Sequence, residues 1–225
     1  MRVSLTDGEV ALQAEVREFL AHRAPAPEEI PADLDERVAV LRDWQRMLKD
    51  AGLVGLSWPR EYGGRGTTLA EQMIANQEMA RARVPQLVGY VGVDVVGPTI
   101  IGYGTAAQKA AHLERILSAE DIWCQGFSEP GAGSDLAGLR TKAVDEGEHF
   151  RLNGQKVWTS YAQYAQWCAV LARTDPDAPT HLGISYLLVD MSSPGITVRP
   201  LVMSTGEAEF GEVFFDDVLV PRENV

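Results

Sequence analysis

Ser128-Glu129-Pro130-Gly131-Ala132-Gly133-Ser134-Asp135, followed further along by Asn153-Gly154-Gln155-Lys156-Val157-Trp158-Thr159-Ser160, decides how this chain is read. The first stretch is a glycine-rich turn with hydroxyls at both ends. Gly131 and Gly133 let the backbone turn tightly and bring N–H groups close to an anion, and Ser134 adds a hydroxyl donor. A pyrophosphate suits such a loop; a plain β-turn with polar decoration is the alternative. In the second stretch, Asn153-Gly154 signals a two-residue hairpin, because a type I′ turn needs positive φ at both positions. On the strand that follows, Trp158 and Ser160 share one face. An indole beside a hydroxyl can cover a flat heterocycle and hydrogen-bond its edge; a core tryptophan next to an edge serine is the alternative.

Upstream of these stretches the sequence predicts helices. Thr6-Asp7-Gly8-Glu9 fits a capping box, and Val10, Leu12, Val16, Phe19 and Leu20 follow at helical spacing until Pro25 and Pro27. Val38, Leu41, Trp44, Met47 and Leu48 mark a second helix, closed by Ala51-Gly52. Thr68 to Glu71 and Thr105 to Gln108 open two more. The apolar, glycine-interrupted stretch 87–101 reads as a buried helix with close neighbours. After Asp121 the runs become short and β-rich: 122–127, 150–152, 157–159, 168–172, 184–189, 196–198 and 213–215. An all-helical block is therefore followed by a block of antiparallel β-structure.

The chain has 225 residues, 45% hydrophobic and 23% charged, as a globular protein with a core of normal size would. Its net charge of -12 argues against nucleic acid as a partner, which needs a basic face. It does not exclude CoA, whose phosphates need only a few local basic groups. Cys124 and Cys168 lie in apolar runs without CxxC spacing and are expected to be buried free thiols. His22, His112, His149 and His181 form no metal or triad pattern and are expected at the surface. Met1-Arg2-Val3-Ser4-Leu5-Thr6-Asp7 shows no leader, and 87–101 is too interrupted for a membrane span.

The order of Trp123-Cys124-Gln125-Gly126-Phe127-Ser128 with the glycine-rich octapeptide, then Leu139-Arg140-Thr141-Lys142-Ala143, Asn153-Gly154-Gln155-Lys156-x-Trp158, and Phe214-Phe215-Asp216-Asp217-Val218-Leu219-Val220-Pro221 resembles the acyl-CoA dehydrogenase family over the full chain. The resemblance implies an α+β fold: an N-terminal all-α helical domain, residues 1–120, followed by an antiparallel β-barrel domain, residues 121–225, that binds FAD and acyl-CoA. It implies α,β-desaturation of an acyl-CoA to the trans-2-enoyl-CoA, with hydride passing to flavin N5 and electrons leaving to an electron-transfer flavoprotein. A cytoplasmic enzyme, homotetrameric or otherwise oligomeric, is expected.

Residue by residue, the resemblance places Phe127 and Ser128 beside the isoalloxazine ring. It places Gly133 and Ser134 at the FAD pyrophosphate, with Ser134 also near the CoA arm. Trp158 packs against the ring system and Ser160 donates near N5, where a fixed donor stabilises the reduced form. Many relatives carry threonine where this chain has Ser128 and Ser160; the donor hydroxyl is kept and the rotamer-fixing methyl is lost. Tyr90, Val93, Asp94 and Val96 are candidates for the acyl pocket, with core packing as the alternative for each. Asp94 stands out, since an unpaired buried carboxylate is costly; it points to a polar substrate or to a helix end.

No catalytic residue is expected within this chain. The family's glutamate base comes from a C-terminal helical bundle, placed beyond Val225, and Glu129 is read instead as holding its loop by accepting backbone N–H bonds. The segment Glu207-Ala208-Glu209-Phe210 looks like actinobacterial members acting on varied acyl chains, sterol side chains among them. Two other functions stay open: an oxidase or flavin monooxygenase on the same fold, and a non-catalytic subunit that completes a heteromeric dehydrogenase.

Overall fold

Thr6, Thr68 and Thr105 each open a helix by the same reciprocal cap. The threonine hydroxyl accepts from the amide three residues on, and the side chain there accepts from the threonine amide, at 2.6 Å for Thr6, 2.7 Å for Thr68 and 2.8 Å for Thr105. The structure, a computed structural model, describes residues 4–225; residues 1–3, where the segment read as having no leader begins, lie outside it. The chain divides into two compact units, one ending at Glu120 and the other Asp121–Val225.

The first unit holds α1 (Asp7–Arg23), α2 (Leu34–Asp50), α3 (Leu69–Ala82), α4 (Gly97–Tyr103) and α5 (Ala106–Leu117). Leu12, Val16 and Leu20 bury one face of α1, and Val38, Leu41, Trp44 and Leu48 one face of α2. Val10 and Met47, expected on these faces, are exposed at 51% and 39%. Phe19 stacks on Trp44. Gln45 is fully buried: its Nε2 donates to Ile116 O and Leu117 O at the end of α5, and its Oε1 accepts from Gly89 N at 2.9 Å. His112 corrects the expectation of surface histidines. It lies on the buried stripe of α5 with Leu113, Ile116 and Leu117.

The stretch 87–101 is helical but not one helix. A π-helical turn, Gly92–Val96, precedes α4, and its hydrogen bonding follows from the sequence. Gly97 N–H donates to Gly92 O, five residues back, rather than to Val93 O. The next residue that could serve Val93 O is Pro98, which has no N–H. The stranded carbonyl is taken by the Trp58 indole, Nε1 to O 3.0 Å. The indole lies so close that a Cβ at Gly97 would meet Trp58 Cζ2 at 2.0 Å.

The second unit is a seven-stranded sheet of β1 (Trp123–Gly126), β2 (Lys142–Asp145), β3 (His149–Ser160), β4 (Trp167–Arg173), β5 (Ile184–Asp190), β6 (Ile196–Leu201) and β7 (Phe210–Pro221). The sheet is mixed, which corrects the antiparallel expectation: β1 and β2 both run parallel to β4. They lie in line on one edge of β4, β1 against 167–170 and β2 at Arg173, while β5 pairs antiparallel along the other edge. Cys124 and Cys168 face each other in register as free, buried thiols.

Asn153-Gly154 is not a hairpin. β3 runs straight through it, and the chain reverses instead at Gly147, whose φ is +88°. Asn153 and Asp217 exchange two bonds, Asn153 Nδ2 to Asp217 Oδ1 and Asp217 N to Asn153 Oδ1, both 3.0 Å, at a bulge between β3 and β7. Glycine follows because the backbone of Thr141 approaches closely; a Cβ at Gly154 would lie 2.7 Å from Thr141 Cα.

Candidate functional site

Where β1 stops and β2 has not yet begun, the chain leaves the sheet as the loop 127–141. Both of its ends are tied to one buried ion pair. Lys156, on β3, is fully buried; its Nζ donates to Glu129 Oε1 at 2.8 Å and to Phe127 O at 3.1 Å. Glu129 Oε1 also accepts from Thr141 N at 2.9 Å, and its Oε2 from Arg140 N at 2.7 Å. Gly126 leaves room for the lysine: a Cβ there would lie 3.3 Å from Lys156 Cγ. Burial opposes the Glu129 charge, but the bonds from Lys156, Thr141 and Arg140 outweigh it and hold the carboxyl below the usual glutamate range. Burial pulls the Lys156 ammonium below the usual lysine range, against its pairing with Glu129. Glu129 thus holds the loop, as its position in the sequence suggested. Lys156 was missed, although even-numbered Phe150 and Leu152 on the same strand already point to the buried face.

Within the loop, Glu129 and Ala132 exchange backbone bonds of 2.8 and 3.1 Å, which sets a tight turn. Gly133 and Ser134 are exposed, and their amides donate to no group of the chain among the described residues. A Cβ at Gly131 or Gly133 would meet nothing within 4 Å, so this side of the loop is open to a ligand's approach. Consecutive free N–H groups in a turn form an anion-binding concavity.

The other side of the site comes from the end of β3. Val157 N donates to Ser128 O at 2.9 Å, which joins the loop to the strand one residue before Trp158. Trp158 has φ +59°, a left-handed conformation that is an outlier for a bulky residue. The pairing of β3 with β7 shifts register here, so strict alternation fails. Thr159 takes the buried face, Ser160 is half-buried, and the Trp158 indole is 56% exposed with Phe210 against it edge-on. Strain of this kind, about 1–3 kcal/mol, persists where the surroundings over-determine it and clusters at ligand sites. Phe127 and Ser128 are half-buried beside this strand, Phe127 edge-on to Tyr186. The structure therefore brings Phe127, Ser128 and Trp158 together, with Gly133 and Ser134 on the same pinned loop and Ser160 two residues on.

In the helical unit, Tyr90, Val93 and Asp94 line one cavity of about 330 Å³. Leu56, Trp58 and Met79 supply apolar wall, and Ser57, Gln72 and Asn76 supply polar groups. Val96 is fully buried and does not line it. Asp94 is exposed, not the buried carboxylate its apolar neighbours suggested. It still feels the cavity wall, and partial burial raises its carboxyl above the usual aspartate range. Trp58, Gln72 and Asn76 were not foreseen; they reach the cavity only through tertiary packing. No group of residues that could hold a metal ion occurs among the described residues.

Residues 6–120 match the family model described as acyl-CoA dehydrogenase, N-terminal domain, and residues 124–218 that of the acyl-CoA dehydrogenase middle domain. Over 176 residues the chain is 51% identical to the acyl-CoA dehydrogenase IpdE1 of Mycobacterium tuberculosis, covering 78% of this chain and 46% of that protein. Among solved structures, the ChsE4-ChsE5 complex from Mycobacterium tuberculosis matches with a TM-score of 0.87 at 37% identity, over 100% of this chain and 57% of that one. A glutaryl-CoA dehydrogenase from Mycobacterium smegmatis in complex with FADH2 matches with a TM-score of 0.74 at 26% identity, over 98% of this chain and 55% of that one. The chain spans about half the length of these relatives.

Proposed function

Since the chain belongs to the acyl-CoA dehydrogenase family, we propose that it supplies the helical wall and the flavin-holding domain, 1–120 and 121–225, of an FAD-dependent enzyme that desaturates an acyl-CoA between its α and β carbons. The observation that carries this reading is the pinned, open loop beside a strained and exposed tryptophan. Two consecutive free amides suit a pyrophosphate, and an indole that is exposed at a conformational cost suits a flat ring. The donor set thus fits FAD.

Bound FAD supplies the acceptor for a hydride leaving the substrate's β-carbon. The amides of Gly133 and Ser134 hold the pyrophosphate, and the Ser134 hydroxyl serves the CoA arm. Phe127 and Trp158 would pack against the ring and shield it from water. Ser128 and Ser160 would donate hydroxyl hydrogen bonds to the edge of a bound flavin ring, which favours its reduced form. Tyr90, Val93 and Asp94 line the acyl cavity, whose mixed lining suits an acyl group carrying a polar substituent. Glu129 is committed to Lys156 and two amides, so it does not serve as the base. The group that takes the α-proton lies outside these 225 residues, in the same chain or a partner's. A heteromeric assembly is favoured by the likeness to one chain of the ChsE4-ChsE5 complex. The electrons go on to an electron-transfer flavoprotein. No helix among the described residues is long and apolar enough to cross a membrane.

The test is the visible spectrum of the protein purified from its native host, with the mass of every chain that accompanies it. Flavin bands that bleach when an acyl-CoA is added without air are expected. A colourless protein, or flavin that no acyl-CoA bleaches, would refute the reading. Fast reoxidation of the bleached flavin by air would replace it with an oxidase or monooxygenase.

A further inference from the structure

We infer that Glu129 and Lys156 are positioning residues: a buried clasp that closes loop 127–141 at both ends and sets it against Trp158 for its ligand. The inference rests on the flavin reading for the identity of that ligand, but its geometry stands apart from it.

A seven-stranded sheet does not need a charge in its core. A buried ion pair generally stabilises a fold no better than apolar residues of the same volume, and breaking one half of it is costly. Here the pair sits where the β1–β2 line is interrupted, and the strands reach the ends of the loop by single backbone bonds, Val157 N to Ser128 O at 2.9 Å and Arg173 N to Thr141 O at 2.8 Å. The clasp adds a side-chain tie that links the two ends to each other. Lys156 holds the outgoing end through Phe127 O, and Glu129 holds the returning end through the amides of Arg140 and Thr141. The link between the two, Nζ to Oε1, joins both ends to β3 two residues before the left-handed Trp158. Together with the Val157 N to Ser128 O bond, the pair thereby fixes the distance between the free amides of the loop and the exposed indole of the strand. Neither side chain needs to touch the ligand.

The experiment uses the full protein in which these residues occur, with two variants. Glu129→Gln with Lys156→Met removes both charges together, so that no lone charge is left buried. Glu129→Asp keeps both charges and shortens the reach to the amides. It guards against failure of the first variant to fold. Hydrogen exchange is followed in peptides spanning 127–141 and in peptides of β7, and FAD affinity is measured by flavin fluorescence. Exchange in the loop peptides should rise at least about tenfold, the factor expected when charge-assisted bonds to two amides are lost, while β7 stays unchanged. FAD should bind at least about tenfold more weakly. The inference is overturned if loop and β7 peptides accelerate together, which would make the pair a general prop for the sheet. It is equally overturned if the loop does not loosen, or loosens with FAD affinity intact. A wild-type protein that binds no FAD would sink the flavin reading alone, and the exchange comparison would still decide whether the clasp holds the loop.

Discussion

Replacing Gln45 by Met should unfold the helical unit at a markedly lower temperature, although the volume is nearly conserved. Met fills the space of Gln without its donor and acceptor, so the change isolates the hydrogen bonds. Gly89 N–H has Gln45 Oε1 as its partner, in a fully enclosed position. Leaving such a donor unpaired costs about 1–3 kcal/mol. Leu117 O loses its bond from Nε2, for about 1 kcal/mol more, whereas Ile116 O keeps backbone donors from the end of α5. The sum is about 2–4 kcal/mol, or on the order of 10 °C in midpoint for a unit of this size. Urea titration and calorimetry of Gln45→Met beside wild type measure it. A loss below about 0.5 kcal/mol would refute the reasoning, because it would mean water or a shifted backbone serves Gly89 without effort. Since Gly89 immediately precedes Tyr90, the same variant should also loosen amide exchange along the cavity wall formed by 90–94.

Acid should destabilise the helical unit through Glu78, which lies buried between α1 and α3. Paired hydrogen bonds from Arg17, with Arg17 and Arg81 adding charge and burial opposing, hold its carboxyl below the usual glutamate range. A depressed folded value contributes stability that is present above the unfolded value and is lost as pH falls through the folded one. Denaturation midpoints followed from about pH 6 to about pH 3 should therefore fall, and Glu78→Gln should flatten that fall; an unchanged slope would contradict the assignment. Trp158→Asn should leave stability within about 1 kcal/mol of wild type, since asparagine accepts the left-handed conformation, yet should weaken FAD binding by at least about tenfold. Retained affinity would remove Trp158 from the site.

Much of the helical unit is legible in the sequence because a capping box is local: Thr6, Thr68 and Thr105 each signal with a partner three residues away. The glycine-rich loop is legible for the same reason. What resisted reading is decided by distant chain. β2 buries only Ala143 and shows no apolar run. Its parallel alignment with β4 depends on where β1 ends, not on its own residues. Asn153-Gly154 carries a strong local turn preference that Asp217 and Thr141 override from elsewhere in the sheet. The alternation that buries Phe150, Leu152 and Lys156 shifts by one before the buried Thr159, at a bulge that only the pairing with β7 reveals. Asp94 looked buried by the company it keeps in sequence, but the π-helical turn presents it outward.

That turn is an α-helix carrying one residue too many. Deleting one residue from Gly92–Val96 would return the turn to α-helical register, with the carbonyl four residues before Pro98 still lacking a backbone donor, and rotate everything before it by about 100° relative to α4. Tyr90 would leave the cavity wall and a neighbour would replace it, while α4 and the residues after it kept their places. A single-codon deletion is thus a mutational step by which descendants of this chain can exchange the set of side chains that meets a ligand, without first acquiring a series of point substitutions. The Trp58 indole bonded to the Val93 carbonyl is the contact that such a deletion would have to break or rebuild.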